Sequence, residues 1–254
     1  MGPMATLSFI ESDASARRSP PVPESRAGDD LLLPTARAYL ALKRAFDVAT
    51  SLSLLVLAGP FIGLAMLLVR LTSPGPALYS QTRLGRHGRP FTLYKIRTMV
   101  NDSESLTGPC WSLPGDTRVT TLGRWLRATH VDELPQLWNV LWGQMSLVGP
   151  RPERPEFVPK LEQAIPKYRK RLQVRPGVTG LAQVQLPPDT DLDSVLIKTA
   201  YDLHYIRHVG LMLDMRILWA TAFKLMGLSF ARLRAAFRFP RREAIESDYR
   251  ALPI

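Results

Sequence analysis

A chain of 254 residues with 46% hydrophobic content can build one substantial domain, or a small domain with appendages, and this excludes disorder throughout. Thirty-three Lys and Arg against 22 Asp and Glu leave a net charge of +11, so the partner is anionic: nucleic acid, an acidic membrane surface or a phosphorylated substrate. The single cysteine, Cys110, excludes an internal disulfide and a cysteine-rich zinc site, and fits a reducing compartment.

The amino-terminal residues lack the charged start and early apolar run of a signal peptide. Residues 1–36 read as a disordered leader, because "ESDASARRSPPVPESRAGDD" is rich in Ser, Pro, Arg and Asp and has almost nothing to bury.

Residues 37–75 contain "KRAFDVATSLSLLVLAGPFIGLAMLLVR", long enough to reach across a bilayer as one straight helix. Gly59-Pro60 in its middle predicts a kink, since an interior proline removes a helical hydrogen bond. Lys43 and Arg44 precede the segment and Arg70 follows it, which places both ends on the cytoplasmic side. Together these features predict a re-entrant helix-break-helix with its kink at Gly59 and Pro60. A buried core helix and a kinked span are the competing readings.

Strand-like runs around Ala77–Gln81 and Phe91–Ile96, joined by a Gly- and Arg-rich turn, predict a β-hairpin at the start of a domain over residues 76–224. One or two helices then lead into Asp132-Glu133, followed by the Pro-rich "GPRP" loop. Read alone, "DELP" is a helix start, with Asp132 as N-cap and Pro135 in the first turn.

Arginine placement points elsewhere. Arg127 lies five residues before Asp132, and Arg151 sits in the rigid "GPRP" loop, so cationic donors bracket two carboxylates. A carboxylate meets phosphate productively only through a divalent cation or by attacking the phosphorus. Adjacent helical side chains point about 100° apart, so Asp132 and Glu133 can divide those tasks. The helix beginning near Pro135 would also aim free N–H groups at an anion. A surface salt-bridge cluster is the bland alternative.

Further along, "TAYDLHYIRHVGLMLDMRILWATAFK" reads as amphipathic helix. His204 and His208 are four apart and can share a helix face, but with no third ligand in view they read as a solvated pair. Residues 225–254 form a basic segment. "FKLMGLSFARLRAAFRFPRR" interleaves apolar residues with Lys224, Arg232, Arg234, Arg238, Arg241 and Arg242, the composition of an amphipathic helix on anionic lipid rather than a nucleic-acid arm.

The motifs "KRAFD", "SPGPALYSQTRLGRHGRPFTLYKIRTM", "LGRWLRATHVDELPQLWNVLWGQMSLVGPRPE", "VRPGVTGLAQV" and "YDLHYI" resemble, in the same order, those of the bacterial sugar transferase family, the monotopic phosphoglycosyl transferases. The resemblance covers Lys43 to Lys224. It implies transfer of a sugar phosphate, here expected to be a hexose phosphate, from a UDP-sugar to polyprenol (undecaprenyl) phosphate, as the first membrane step of glycan or exopolysaccharide assembly. By the same resemblance Asp132 is the nucleophile that forms a covalent phosphosugar-enzyme and releases UMP. Glu133 binds Mg²⁺, Arg127 and Arg151 hold substrate phosphate or nucleotide, and Lys95 and Arg97 of "YKIRTM" are further phosphate-binding candidates. The sequence departs from the family pattern at Gly59, where many relatives have Ser, at Gln144, where Asp is frequent, and in "QLPPDTDLD" after "GLAQV".

The expected fold is therefore mainly α with a small β-hairpin (α+β), carrying a re-entrant membrane helix, interfacial amphipathic helices and a catalytic domain on the cytoplasmic face of the bacterial inner membrane. A homodimer is compatible with this reading, and nucleic acid is not an expected partner. The reading from a different class is a non-enzymatic basic protein that docks on membrane or nucleic acid.

Overall fold

The computed structural model describes residues 31–32, 34–103 and 115–252, so most of the expected leader, and Cys110, lie outside the described residues. Helix α1 spans Pro34–Thr72. The interruption expected at Gly59-Pro60 is not found, since Pro60 lies inside one continuous helix. Proline removes one hydrogen bond and crowds the carbonyl four residues back, but the Leu- and Ala-rich sequence on both sides favours helix strongly enough to carry it through.

Both ends of α1 dock on the same body. Near its start Lys43 donates to Asp214 at 2.6 Å, and Arg44 donates to the carbonyls of Val140 and Leu141 at 2.5 and 2.7 Å. One turn further on, Asp47 accepts from the Ser146 hydroxyl at 2.7 Å and from the Leu147 amide at 3.2 Å. Near the other end Ala65 and Val69 are buried with Ile96 and Leu126. Between these anchors Val56, Leu57, Phe61 and Leu64 are exposed. Among the described residues, α1 is the one helix long and apolar enough to cross a membrane.

Strands β1 (Leu78–Leu84) and β2 (Pro90–Ile96) pair antiparallel, with Leu78 opposite Ile96. The predicted hairpin is present, with its first strand starting one residue later than expected and running three residues further, to Leu84. Its turn is a short 3₁₀ piece, Arg86–Gly88, with His87 left-handed. Helix α2 (Thr121–Thr129) is N-capped by Thr120, whose hydroxyl accepts from the Gly123 amide at 2.9 Å. A 3₁₀ turn, Val131–Glu133, and helix α3 (Gln136–Leu141) follow.

A second sheet had no counterpart in the sequence reading. Strands β3 (Ser146–Val148) and β4 (Gly177–Thr179) pair parallel. The backbones approach so closely that a Cβ on Gly177 would lie 2.1 Å from the Gly149 nitrogen, which only glycine permits. Helix α4 (Val158–Ala164) leads to a 3₁₀ stretch, Tyr168–Gln173, ahead of β4, and α5 (Leu181–Gln185) follows that strand.

The segment read as one amphipathic run is two helices, α6 (Leu192–Arg207) and α7 (Leu211–Leu225), because Gly210 opens a new helix in extended conformation. An Asp191–Ser194 capping box starts α6. The carboxyl-terminal segment also departs from expectation. It forms two helices, α8 (Phe230–Ala236) and α9 (Arg242–Ala251), with left-handed Gly227 and Arg238 at the breaks. Leu233, Phe239, Ile245 and Leu252 enter the same core as Tyr201 and Ile206. Those apolar side chains are covered by protein, not offered to lipid, because the breaks turn the segment back onto α5 and α6.

Candidate active site

Asp132 and Glu133 sit on the 3₁₀ turn between α2 and α3. His130 ends α2 in the left-handed conformation, which a non-glycine residue adopts at a cost, and this reverses the chain so that the next residues point inward. Asp132 is not an N-cap: Pro135 occupies that position, and Asp132 Oδ1 is buried with no hydrogen-bond partner. The helix-cap reading of "DELP" therefore fails. The start of α3 offers few free N–H groups to an anion, because the Leu137 and Trp138 amides already donate to the Leu134 and Pro135 carbonyls.

Glu133 is held from two sides. Its Oε1 accepts from Lys95 Nζ at 2.7 Å and from Arg151 Nη2 at 2.6 Å, while Oε2 has only a 3.4 Å contact with Arg151 Nη1. Burial opposes ionisation of Glu133, but Arg151 and Lys95 outweigh it and hold the carboxyl well below the usual range. Asp132 goes the other way. Burial raises its pKa to about 6, aided by the charge of Glu133, against the opposing pull of Lys95, Arg127 and Arg151. Two adjacent carboxylates thus have separated properties, one a fixed anion and one poised near neutrality.

Each cation is positioned by the fold. Lys95 projects from β2, with Asn139 bridging that strand: its Nδ2 donates to the Thr92 carbonyl at 2.7 Å and its Oδ1 accepts from the Tyr94 amide at 3.2 Å. Gln144, the departure from the family pattern, accepts a second bond from Asn139 at 2.7 Å and so helps fix that bridge. Arg151 follows β3 in a loop pinned by glycine backbones, the Gly149 amide donating to Thr179 and the Gly177 amide to Pro150. Behind it, Arg171 donates to the Arg151 carbonyl at 2.9 Å and pairs with buried Asp202 at 2.7 Å. Arg127 donates from Nε to the Thr98 hydroxyl at 2.8 Å.

Of the predicted site residues, Asp132, Glu133, Lys95, Arg127 and Arg151 converge. Arg97 does not join them: it donates to the Ser73 carbonyl at 2.7 Å, beside the end of α1. Gly59 and Pro60 lie in the middle of α1, away from the site.

Two residues escaped the sequence reading. His130, its basicity lowered chiefly by burial, feels the charges of Glu133, Lys224, Arg151 and Lys95. Lys224 at the end of α7 belongs to the segment expected on lipid, yet burial and Arg151 lower its pKa while Glu133 raises it, and its ammonium donates to the Gln183 carbonyl at 2.6 Å. No local pattern marks a lysine ninety residues from the turn it faces.

The donor set fits a hard divalent cation. Glu133 Oε2, whose contact with Arg151 Nη1 is 3.4 Å, is a carboxylate oxygen of the type that would hold Mg²⁺, and this leaves the unpartnered Asp132 Oδ1 free.

A profile described as "Bacterial sugar transferase" matches residues 38–227, three quarters of the chain. The chain belongs to the bacterial sugar transferase family. It is 45% identical over 181 residues to a UDP-glucose:undecaprenyl-phosphate glucose-1-phosphate transferase of Caulobacter vibrioides, covering 70% of this chain and 67% of that one. It is 42% identical over 187 residues to the exopolysaccharide production protein PSS of Rhizobium leguminosarum, covering 72% of this chain and 94% of the relative. A UDP-N-acetylgalactosamine-undecaprenyl-phosphate N-acetylgalactosaminephosphotransferase of Aeromonas hydrophila is 40% identical over 190 residues, which span 75% of this chain but 44% of the relative. For this sugar transferase, the matched region contains every converging residue of the Asp132 site.

Proposed function

We propose that this sugar transferase moves a hexose-class sugar 1-phosphate from a UDP-sugar to undecaprenyl phosphate at the bacterial cytoplasmic membrane, with Asp132 as nucleophile. The observation that carries this reading is the Asp132 carboxylate itself: buried, deprived of any partner for Oδ1, and surrounded by Lys95, Arg127 and Arg151. A carboxylate left unsatisfied inside a cationic pocket is arranged to form a bond, not to stabilise a fold.

In the first step an Asp132 oxygen bonds to the sugar-linked phosphorus as the bond from that phosphorus to the bridging oxygen breaks, and UMP leaves with that oxygen. In the second step an oxygen of undecaprenyl phosphate attacks the same phosphorus and the Asp132 carboxylate is released. Arg151 and Arg127 neutralise the developing phosphate charge, and Lys95 holds Glu133 in place. Mg²⁺ at Glu133 supplies further neutralisation of the diphosphate when bound.

The topology we assign is re-entrant. A straight α1 would separate Lys43 from Val69 by about 39 Å, more than a hydrocarbon core. Both residues nevertheless dock on one polar body, which cannot extend through lipid. The exposed apolar middle of α1 then enters one leaflet, which requires α1 to bend while staying helical, as an interior proline such as Pro60 allows. Exposed Trp125, Trp138, Trp142 and Trp219 support a domain resting at the interface, where indole rings concentrate.

The test is UMP release from a panel of UDP-sugars, with Mg²⁺ and undecaprenyl phosphate, comparing wild type with Asp132→Asn. Release with one donor, lost in the variant, supports the reading and names the sugar. Equal release by the variant overturns the covalent step.

A further inference from the structure

The carboxyl-terminal half holds a second cluster of ligating side chains, built by different elements from the Asp132 turn. His204 lies in the last turn of α6 and His208 caps that helix, so the two imidazoles share one face and stack with centroids 4.2 Å apart. Asp248 reaches them from α9, its Oδ2 2.8 Å from His204 Nδ1. One nitrogen or oxygen from each of the three lies within 4.8 Å of the others.

Hydrogen bonding sets the tautomer of the exposed ring. His208 Nδ1 is 2.9 Å from the His204 carbonyl, which only accepts, so Nδ1 carries the hydrogen and Nε2 keeps a lone pair. A backbone carbonyl on the far ring nitrogen is the outer bond that orients metal-ligating histidines. The third ligand is equally well held. Ile245, one turn before Asp248, is fully buried, and the Tyr249 hydroxyl beside it donates to the Pro166 carbonyl.

We propose that His204, His208 and Asp248 form a binding site for Zn²⁺ that clips α9 onto α6. Two imidazole nitrogens and one carboxylate oxygen suit this cation rather than Mg²⁺, with water in the fourth tetrahedral position. Binding replaces the His204–Asp248 hydrogen bond by two bonds to the ion. If His204 ligates through Nδ1, its proton moves to Nε2 of the same ring, and no net proton is lost. The clip fixes the carboxyl-terminal helices to the core and leaves Asp132 untouched.

The experiment is zinc titration of the full chain, free of any polyhistidine tag, in detergent and with Mg²⁺ in large excess, read by competition with a fluorescent chelator. Expected is one equivalent bound at micromolar or tighter affinity. A four-coordinate visible spectrum with Co²⁺ and slowed amide exchange over residues 242–252 should accompany it. His208→Ala and Asp248→Asn should each weaken binding by at least about 10-fold while UMP release continues at the wild-type rate. Absence of stoichiometric binding, or binding that survives both substitutions, overturns the site.

Discussion

Lys95 donates to Oε1 of Glu133 at 2.7 Å, onto the same oxygen that already accepts from Arg151. One carboxylate therefore neutralises two cations from separate elements, and its removal leaves both without a counter-charge. Glu133→Gln should lower turnover by about 100-fold or more, since it removes both the cation clamp and the proposed Mg²⁺ ligand. It should also destabilise the fold by about 2–3 kcal/mol, less than for a fully buried pair because the three side chains keep some solvent contact. Chemical denaturation and initial-rate assays across Mg²⁺ concentrations check both. Unchanged Mg²⁺ dependence in the residual activity would remove Glu133 as the metal ligand.

Asp132 makes the opposite prediction for stability. Its folded pKa of about 6 lies above the unfolded value of 3.8, so the folded state holds the proton more tightly. Stability from the neutral carboxyl is fully present below pH 4 and is lost as pH rises through 6. Asp132→Asn should therefore abolish turnover yet stabilise the protein above pH 6, by up to about 3 kcal/mol, with no gain near pH 4. Denaturation midpoints of the two proteins across that range decide it. A stability difference independent of pH would mean that burial does not govern this carboxyl.

The same group sets the acid limb of activity. A protonated Asp132 cannot attack phosphorus, so kcat/KM should fall as pH drops through about 6. Arg127→Gln removes one of the charges favouring the carboxylate and should move that limb to higher pH. A shift to lower pH would be the wrong sign.

Much of the grouping of these side chains was legible because they lie in continuous motifs. The hairpin alternates strand-like runs around a Gly-rich turn, and "THVDELP" and "GPRP" carry Asp132, Glu133 and Arg151 with their neighbours. What stayed hidden is tertiary. Strands of three residues, such as β3 and β4, have no periodicity to read, and their pairing rests on the fit of Gly149 against Gly177. Arg97 shares a motif with Lys95 yet faces Ser73, because it lies beyond the end of β2, where the chain turns toward α1. The basic carboxyl-terminal segment matched a lipid-surface composition, but left-handed Gly227 and Arg238 fold it onto the core, a turn that charge pattern does not encode.

The anchor of α1 supplies the last prediction. Lys43 lies 2.6 Å from Asp214 and 3.7 Å from Asp47, all three nearly inaccessible to solvent, and Tyr205 donates to the other Asp214 oxygen at 2.8 Å. Lys43→Met keeps the stem but leaves two buried carboxylates without their shared cation, at a cost of about 3–5 kcal/mol. Because this contact fixes where α1 begins, the variant should also loosen the helix from the domain. Ala41→Cys and Thr72→Cys, placed at exposed positions in a Cys110→Ser background, report on that geometry. In inside-out vesicles both should react with a membrane-impermeant thiol reagent, as a re-entrant α1 requires. In the Lys43→Met background, amide exchange over residues 38–47 should quicken while residues 65–72, anchored separately by Ile96 and Leu126, hold their protection. Labelling of Ala41→Cys and Thr72→Cys from opposite faces would make α1 a span and overturn the re-entrant assignment.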